Sequence, residues 1–121
     1  MAHAIVPEAT LRDLGWAQIT RALADRTATA RGAERALALP FLERRDEIEA
    51  SLTRIEEARA LLRKELVLPL GDAVDVRDAL SLAAKGAVLE PGQLLAIARL
   101  IRAAARARAF LATHRDDAPT L

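Results

Sequence analysis

Apolar residues recur along this chain at spacings of three and four, which is the period of amphipathic helices. The clearest row lies in residues 44–66 and consists of Ile48, Leu52, Ile55, Leu62 and Leu66, with Arg59 standing at one position of the row. The alternation of four and three is heptad-like. Acidic residues come early in this segment and basic residues come late, as the helix dipole favours. The pattern predicts a long helix over 44–66.

A second long helix is predicted over 91–114, with Pro91 at its first position, where a missing N–H costs nothing. Its apolar residues cover a wide arc and include Leu94, Ile97, Leu100, Ile101, Ala104 and Leu111. A wide arc predicts burial on more than one side, and the many alanines would let another helix approach closely. We therefore expect this helix to be central and the narrower, more charged 44–66 helix to lie outside.

Shorter helices are predicted between these two and before them. The segments are 16–28, a run at 33–39 that ends before Pro40, and 76–85 followed by Gly86 in a left-handed conformation. A short turn opens at Thr10. No strand-like alternation is present. The sequence thus predicts an all-α fold of about five helices, with the 44–66 and 91–114 helices packed antiparallel. Residues 1–9 and 116–121 are expected to be poorly ordered.

The amino-acid composition limits the classes of protein to which this chain can belong. The 121 residues are enough for one domain, or for a fragment of one. Aromatic residues make up only 2%, so the core should be aliphatic, and the absence of cysteine excludes disulfides and thiolate chemistry within this sequence. No apolar run is long enough for a membrane span, and the first residues do not resemble a signal peptide. We expect a cytoplasmic protein with no cofactor.

Arg99, Arg102 and Arg106 are the first candidate site, because spacings of three and four place them on one helical face. No acidic residue occurs between Pro91 and Arg115. One interpretation is a contact surface for nucleic-acid phosphates or for a partner protein. The other is a solvated face that pairs with the acids of the 44–66 helix, which the lack of interleaved aromatic residues favours.

Arg59 is the second candidate, because a charged residue in an apolar row needs an explanation. Either its aliphatic stem lies on the helix while the charge reaches water, or it pairs with a carboxylate of a second chain or a missing segment. The carboxylates of the 44–66 helix are typical of a solvated face. The sequence has no Gly-rich phosphate loop and no nucleophile triad, so no catalytic, cofactor or metal residue is predicted.

The order of these landmarks resembles the second bacterial MutS family, the paralogue that lacks the mismatch-reading domains. The matching text includes TLRDLGWAQITRALADRTAT, EIEASLTRIEEARALL and LPLGDAVDVRDALSLAAKGAVLEPGQLLAIARLIRAA. Its most specific parts are the Pro-Leu-Gly at 69–71, Asp75-Val-Arg, and Lys85-Gly-x-Val-Leu. The similarity covers about residues 10–112, most of the chain.

This resemblance implies that the chain is the N-terminal part of a MutS-type core. Relatives of that family continue into further core helices, a dimeric ATPase domain and usually a C-terminal Smr nuclease domain, and they act in recombination control, DNA repair or ribosome rescue. A short motif linked to nuclease activity in some relatives has its nearest counterpart in Leu11-Arg12-Asp13-Leu14, in a different order. We carry no nuclease activity over to this chain.

The expected function is therefore a non-catalytic helical scaffold that binds the remainder of a MutS-type core and, through the parent protein, DNA or ribosomes. Because a piece of a larger core leaves apolar surface uncovered, we also expect self-association. Two alternatives remain open. One is a stand-alone helical protein–protein interaction domain, and the other is a weak nucleic-acid binder that uses the arginine face.

Overall fold

A computed structural model of the chain describes residues 6–121. All regular structure in that range is helical, so the predicted all-α class is confirmed. The six helices are α1 Glu8–Asp13, α2 Trp16–Ala24, α3 Ala30–Leu37, α4 Arg45–Arg63, α5 Arg77–Ala84 and α6 Pro91–Thr113. The additional helix is α1, which forms where the sequence predicted only a short turn. Residues 1–5, part of the end expected to be poorly ordered, lie outside the described residues.

The first three helices form the most closely packed part of the described chain. α2 and α3 pack against each other, and α1 packs on α2. Ala24 and Ala36 are buried, and their small side chains allow the close approach of α2 and α3. The Thr29 hydroxyl accepts a hydrogen bond from the Gly32 N–H at 3.0 Å and caps the start of α3. Phe41, after α3, stacks on Trp16 with 4.6 Å between ring centroids.

The long helix α4 ends at Arg63, three residues before the predicted end. The Leu66 N–H bonds to the Leu61 carbonyl at 3.0 Å, and the Glu65 N–H bonds to the Leu62 carbonyl at 2.9 Å. This pair of bonds is a Schellman motif, in which the residue after the cap is left-handed. That residue is Glu65, with φ of 59°. Glycine is the usual residue in this conformation, so a glutamate here gives no sequence signal for a helix end. The apolar pattern therefore predicted a longer helix.

The helix α5 ends in the same way, and here the sequence prediction is confirmed. Gly86 has φ of 81° and donates to the Ala83 carbonyl, while Ala87 donates to the Leu82 carbonyl at 3.1 Å. Glycine takes this conformation without a steric penalty. The start of α6 also follows the prediction, with Pro91 as its first residue.

The core of the described residues is small and consists largely of alanine. Its buried apolar residues are Ala24, Ala36, Leu61, Val76, Ala79, Ala103 and Ala118. The sequence predicted an aliphatic core, and the buried apolar residues are indeed aliphatic, but many of the larger side chains lie at the surface. No helix among residues 6–121 combines the length and hydropathy that crossing a membrane would require.

The predicted packing of the two long helices along each other is corrected by the structure. The extensive close contacts between helices involve α1, α2 and α3, not α4 with α6. The helices α4 and α6 approach each other near their C-terminal ends, where Leu111 shares a cleft with Ala58 and Leu61. The helix α6 is accordingly not enclosed, because most of its apolar arc finds no partner within residues 6–121.

The segment after α6, which includes residues 116–121, runs back along α4. Lys64 Nζ lies 2.5 Å from Asp117 Oδ1, and the Thr120 N–H donates to Glu57 Oε2 at 2.9 Å. Ala118, which lies between Asp117 and Thr120 in the sequence, is buried. The segment after α6 thus covers one side of α4 and leaves its opposite side open.

Candidate helix-docking surface

The apolar row of α4 lies exposed on the side away from the covered one. We call Ile48, Leu52, Ile55 and Leu62 the α4 row, and their exposed fractions range from 38% to 60%. At about 100° per residue, the buried Leu61 points about 140° away from the centre of this row. The contacts with residues 114–121 therefore leave Ile48 and Ile55 open, whereas Leu52 and Leu62 line grooves that they share with Asp117 and Leu121.

A second exposed row lies on α6. Leu94, Ala98, Ile101 and Ala105 follow the same four-three-four spacing, and of these Leu94 and Ile101 are large side chains open to solvent. We call the four residues the α6 row. The buried Ala103 lies about 170° from the centre of this row, and the half-buried Leu100 lies about 130° from it. Two alanines make this row flat, so it would accept a helix with larger side chains.

The structure places Arg99, Arg102 and Arg106 on one face of α6; Arg102 lies nearest to the α6 row, and Arg99 lies about 130° from the row's centre. We call these three residues the arginine stripe. Arg99 and Arg102 are exposed, and no carboxylate among residues 6–121 pairs with either. Arg106 differs, because its Nη2 lies 2.6 Å from Asp72 Oδ2 in the loop before α5. The predicted pairing with acids of the 44–66 helix is not observed.

Arg59 reaches solvent and contacts no distant acidic partner among residues 6–121. Its Nη1 lies 2.6 Å from Glu56 Oε1, one turn back on α4, and the side chain is mostly exposed. Glu49 similarly pairs with Arg45 at 2.7 Å. Pairs of this kind are weak because water competes for both groups, so either partner can exchange for a group on another molecule.

A cluster that the sequence did not predict as a site joins α3 to the start of α5. Arg77 Nη1 donates to Glu34 Oε2 at 2.9 Å, and Arg77 Nε donates to Asp75 Oδ1 at 2.9 Å. The Arg77 backbone N–H also donates to Asp75 Oδ1, at 3.1 Å. Asp75 thus holds the guanidinium in place while it reaches across to α3. The signal in the sequence is Asp75-Val-Arg, which stands out only within the family resemblance.

The proton affinities of the cluster follow from these hydrogen bonds. The side-chain and backbone bonds from Arg77 lower the pKa of Asp75 to about 2. The hydrogen bond from Arg77 likewise lowers the pKa of Glu34, and both carboxylates raise the pKa of Arg77. Two carboxylates therefore compensate the charge of Arg77.

The extent of exposed surface shows that these rows are part of a wider feature. The chain exposes 9609 Å², whereas a compact monomer of its mass would expose about 6,400 Å². Many large apolar side chains are among the exposed ones. Within the described range, no group of three or more acidic, histidine or cysteine residues is arranged to hold a metal ion.

Comparison with known proteins agrees with this description. The chain is 45% identical over 112 residues to Endonuclease MutS2 of Anaeromyxobacter sp. (strain Fw109-5), a match that covers 93% of the chain and 14% of that protein. It is 38% identical over 108 residues to Endonuclease MutS2 of Symbiobacterium thermophilum, covering 86% of the chain and 13% of the relative. The corresponding protein of Geobacillus thermodenitrificans is 33% identical over 107 residues.

No protein-family model and no solved structure matches the chain. The chain spans about one-seventh of the length of the relatives that it matches. The alignments nevertheless extend over most of its helices, which agrees with the resemblance read from its motifs. This chain is therefore similar, over most of its length, to a short segment of MutS2 proteins.

Proposed function

We propose that this chain is a non-catalytic scaffold segment that contributes the opening helices of a MutS2-type core. Proteins of this kind would use the assembled core in recombination control, DNA repair or ribosome rescue. The observation that supports the proposal most strongly is the combination of sequence similarity to a seventh of MutS2 with about half as much surface again as a compact monomer exposes. A segment that normally packs into a larger core would have both properties.

Binding in trans to a truncated relative tests the proposal. The Anaeromyxobacter protein would be prepared intact and also without the 112 residues that match this chain. We expect the chain to bind the truncated protein, because its uncovered faces replace those that were removed. The intact protein is the matched control, since its own segment already occupies that place. Binding to neither form, or equally to both, would count against the scaffold function.

A second candidate function, weak binding of nucleic acid, is supported by the exposure of Arg99 and Arg102. Two uncompensated arginines on one face can release counterions from a phosphate backbone, and the affinity then falls as salt rises. Arg106 would contribute less, because it is paired with Asp72. This candidate requires the charge but not the apolar row.

Fluorescence anisotropy with a DNA duplex and a single strand separates the two functions. If the arginine stripe binds phosphates, replacing its three arginines by alanine should lower the salt dependence by about one counterion for each phosphate that is no longer bound. The control is Arg12→Ala/Arg21→Ala/Arg35→Ala, which removes the same charge from exposed positions on α1, α2 and α3. Equal affinity of both triple variants would remove nucleic-acid binding as a function of the stripe.

A further inference from the structure

The segment that follows α6 forms one wall of an apolar cleft at the C-terminal end of α4. We call residues 115–121 the strap. The cleft has a volume of about 280 Å³, and every residue that lines it is apolar. Its other walls come from the last turns of α4, from the loop that follows α4 and from Leu111 of α6, whereas the strap contributes Leu121. The strap therefore closes a side of the cleft that α4 and α6 leave open.

Two polar contacts hold the strap on α4. Lys64 Nζ lies 2.5 Å from Asp117 Oδ1. Glu57 Oε2 accepts hydrogen bonds from the Thr120 N–H at 2.9 Å and from the Thr120 hydroxyl at 2.8 Å. Both contacts lie at the surface, where the Lys64 side chain is 54% exposed. Water and dissolved ions compete for exposed charges, so contacts of this kind are weak and sensitive to salt.

Apolar burial contributes little to the closed position of the strap. Ala118 is its one buried residue, while Pro119 and Leu121 are exposed. A single methyl group adds little hydrophobic stabilisation, and the entropy lost on ordering the backbone of the strap opposes closure. The closed position therefore depends on the contacts of Asp117 and Thr120 with α4 and its end.

The junction between α6 and the strap is suited to opening. α6 is capped by His114, whose ring packs on Phe110 with 4.6 Å between ring centroids. The His114 carbonyl accepts hydrogen bonds from the Asp117 N–H at 3.1 Å and from the Ala118 N–H at 3.0 Å, which form a turn. Residues 115–116 of this turn are exposed. An exposed turn opens at low cost in free energy, so the strap can leave α4 while α6 keeps its end.

We infer that the strap is a releasable cover, which closes the cleft while Lys64 and Glu57 hold it and opens the cleft when they do not. In the open position Leu121 leaves the cleft, and the apolar walls on α4 and α6 become accessible from one side. Because dissolved ions screen the pair of Lys64 with Asp117, rising salt favours the open position. The strap acts within one chain, so its release does not depend on the scaffold function.

Alkylation of a thiol at position 118 measures how often the strap opens. The sequence has no cysteine, so Ala118→Cys introduces a single thiol at the buried position of the strap. When closing is faster than the reaction, the rate with the neutral reagent iodoacetamide is proportional to the fraction of open strap. Lys64→Glu in this background should raise the rate about fivefold or more, because repulsion from Asp117 replaces an exposed ion pair. Glu57→Ala should raise the rate as well, because Thr120 loses its acceptor.

A charge exchange separates release of the strap from other effects of these substitutions. Lys64→Glu/Asp117→Lys restores a pair of opposite charges and should return the rate toward that of the Ala118→Cys background. Arg45→Glu is the control, because it makes the same charge change on α4 at a residue that pairs locally with Glu49, and it should leave the rate unchanged.

Circular dichroism would show that every variant keeps its helix content, and Ala104→Cys at an exposed position of α6 would give the rate without protection. We expect Ala118→Cys to react more slowly than Ala104→Cys, and the difference to shrink as sodium chloride is added. The releasable strap is overturned if the two thiols react equally fast at low salt, if salt does not reduce their difference, if Lys64→Glu or Glu57→Ala leaves the rate unchanged, or if the charge exchange does not restore it.

Discussion

Glu65 shows how a single backbone conformation sets the length of a helix. Its positive φ ends α4 at Arg63 and turns Leu66 back toward the buried Leu61. At the equivalent position of α5, Gly86 takes the same conformation, as the sequence predicted. The two helix ends are alike in their hydrogen bonds, but only glycine carries a signal that can be read beforehand. The end of α4 could not be predicted for this reason.

The first prediction compares reciprocal substitutions at these two helix ends. Glu65→Gly should raise the free energy of unfolding by up to about 1 kcal/mol, because it relieves a left-handed non-glycine residue. Gly86→Ala should lower it by about 1 kcal/mol, because it introduces the same strain where a Cβ would meet no atom. Urea titration would measure both. Changes of the same sign at both positions would contradict the assignment of the two motifs.

The second prediction concerns two adjacent leucines at the end of α4. Leu61 is 5% exposed and Leu62 is 60% exposed. Leu61→Ala should lower the free energy of unfolding by about 2–5 kcal/mol, since it leaves a cavity against α6 and the final segment. Leu62→Ala should change it by less than about 1 kcal/mol. Chemical denaturation at low protein concentration checks the pair, and equal losses would show that the covered side of α4 is misassigned.

The third prediction is a pH dependence that arises from the Asp75–Arg77–Glu34 cluster. Both carboxylates have a pKa below the ordinary value, so the folded state binds their protons less readily than the unfolded state. Their contribution to stability is complete above the ordinary carboxyl pKa and is lost as the pH falls toward about 2. Arg77→Gln should therefore be less stable than the wild type at neutral pH and equally stable near about pH 2.

Thermal unfolding over a range of pH measures this difference between Arg77→Gln and the wild type. Arg35→Gln serves as the control, because Arg35 is exposed on α3 and pairs with no carboxylate in residues 6–121. Its difference from the wild type should not vary in the same pH range. A deficit of Arg77→Gln that persists unchanged at the lowest pH would show that the ion pairs do not contribute to stability.

Among the elements, position along the chain was easier to predict than packing. Proline, glycine and apolar spacing located α2 to α6 to within a few residues, since these signals act within one or two helical turns. Spacing alone also places Ile48, Leu52, Ile55 and Leu62 on one face of α4 and Arg99, Arg102 and Arg106 on one face of α6, whereas a role for either face stays a prediction. Local chemistry is sufficient for features of this kind.

The apolar spacing of a helix did not predict which other helix or segment packs against it. A wide apolar arc on α6 indicated burial, but periodicity does not state whether the same chain or another one provides the cover. Leu94 and Ile101 are exposed for this reason. Similarly, the cover of α4 came from Asp117 and Thr120, polar residues in a segment without helical periodicity. Packing depends on contacts between distant residues, which a pattern along one helix does not encode.

For the whole molecule, the excess of exposed surface is the property that connects fold and function. A chain of this composition could bury about two-thirds of its unfolded surface as a compact domain. Instead, the described residues enclose mainly alanines and leave many longer aliphatic side chains exposed, both in the two rows and elsewhere on the helices and loops. Similarity to about one-seventh of MutS2 proteins supports the same view of an incomplete packing unit.

The reading frame at the native locus tests this account most directly. If the chain is a scaffold segment of a MutS2-type protein, the frame that encodes it should continue to about seven times its length, as in the relatives that it matches. It should also encode a G-x-x-x-x-G-K-[ST] phosphate loop downstream, the signature of an ATPase domain. A frame that stops directly after Leu121 would contradict the account and favour a stand-alone helical interaction protein.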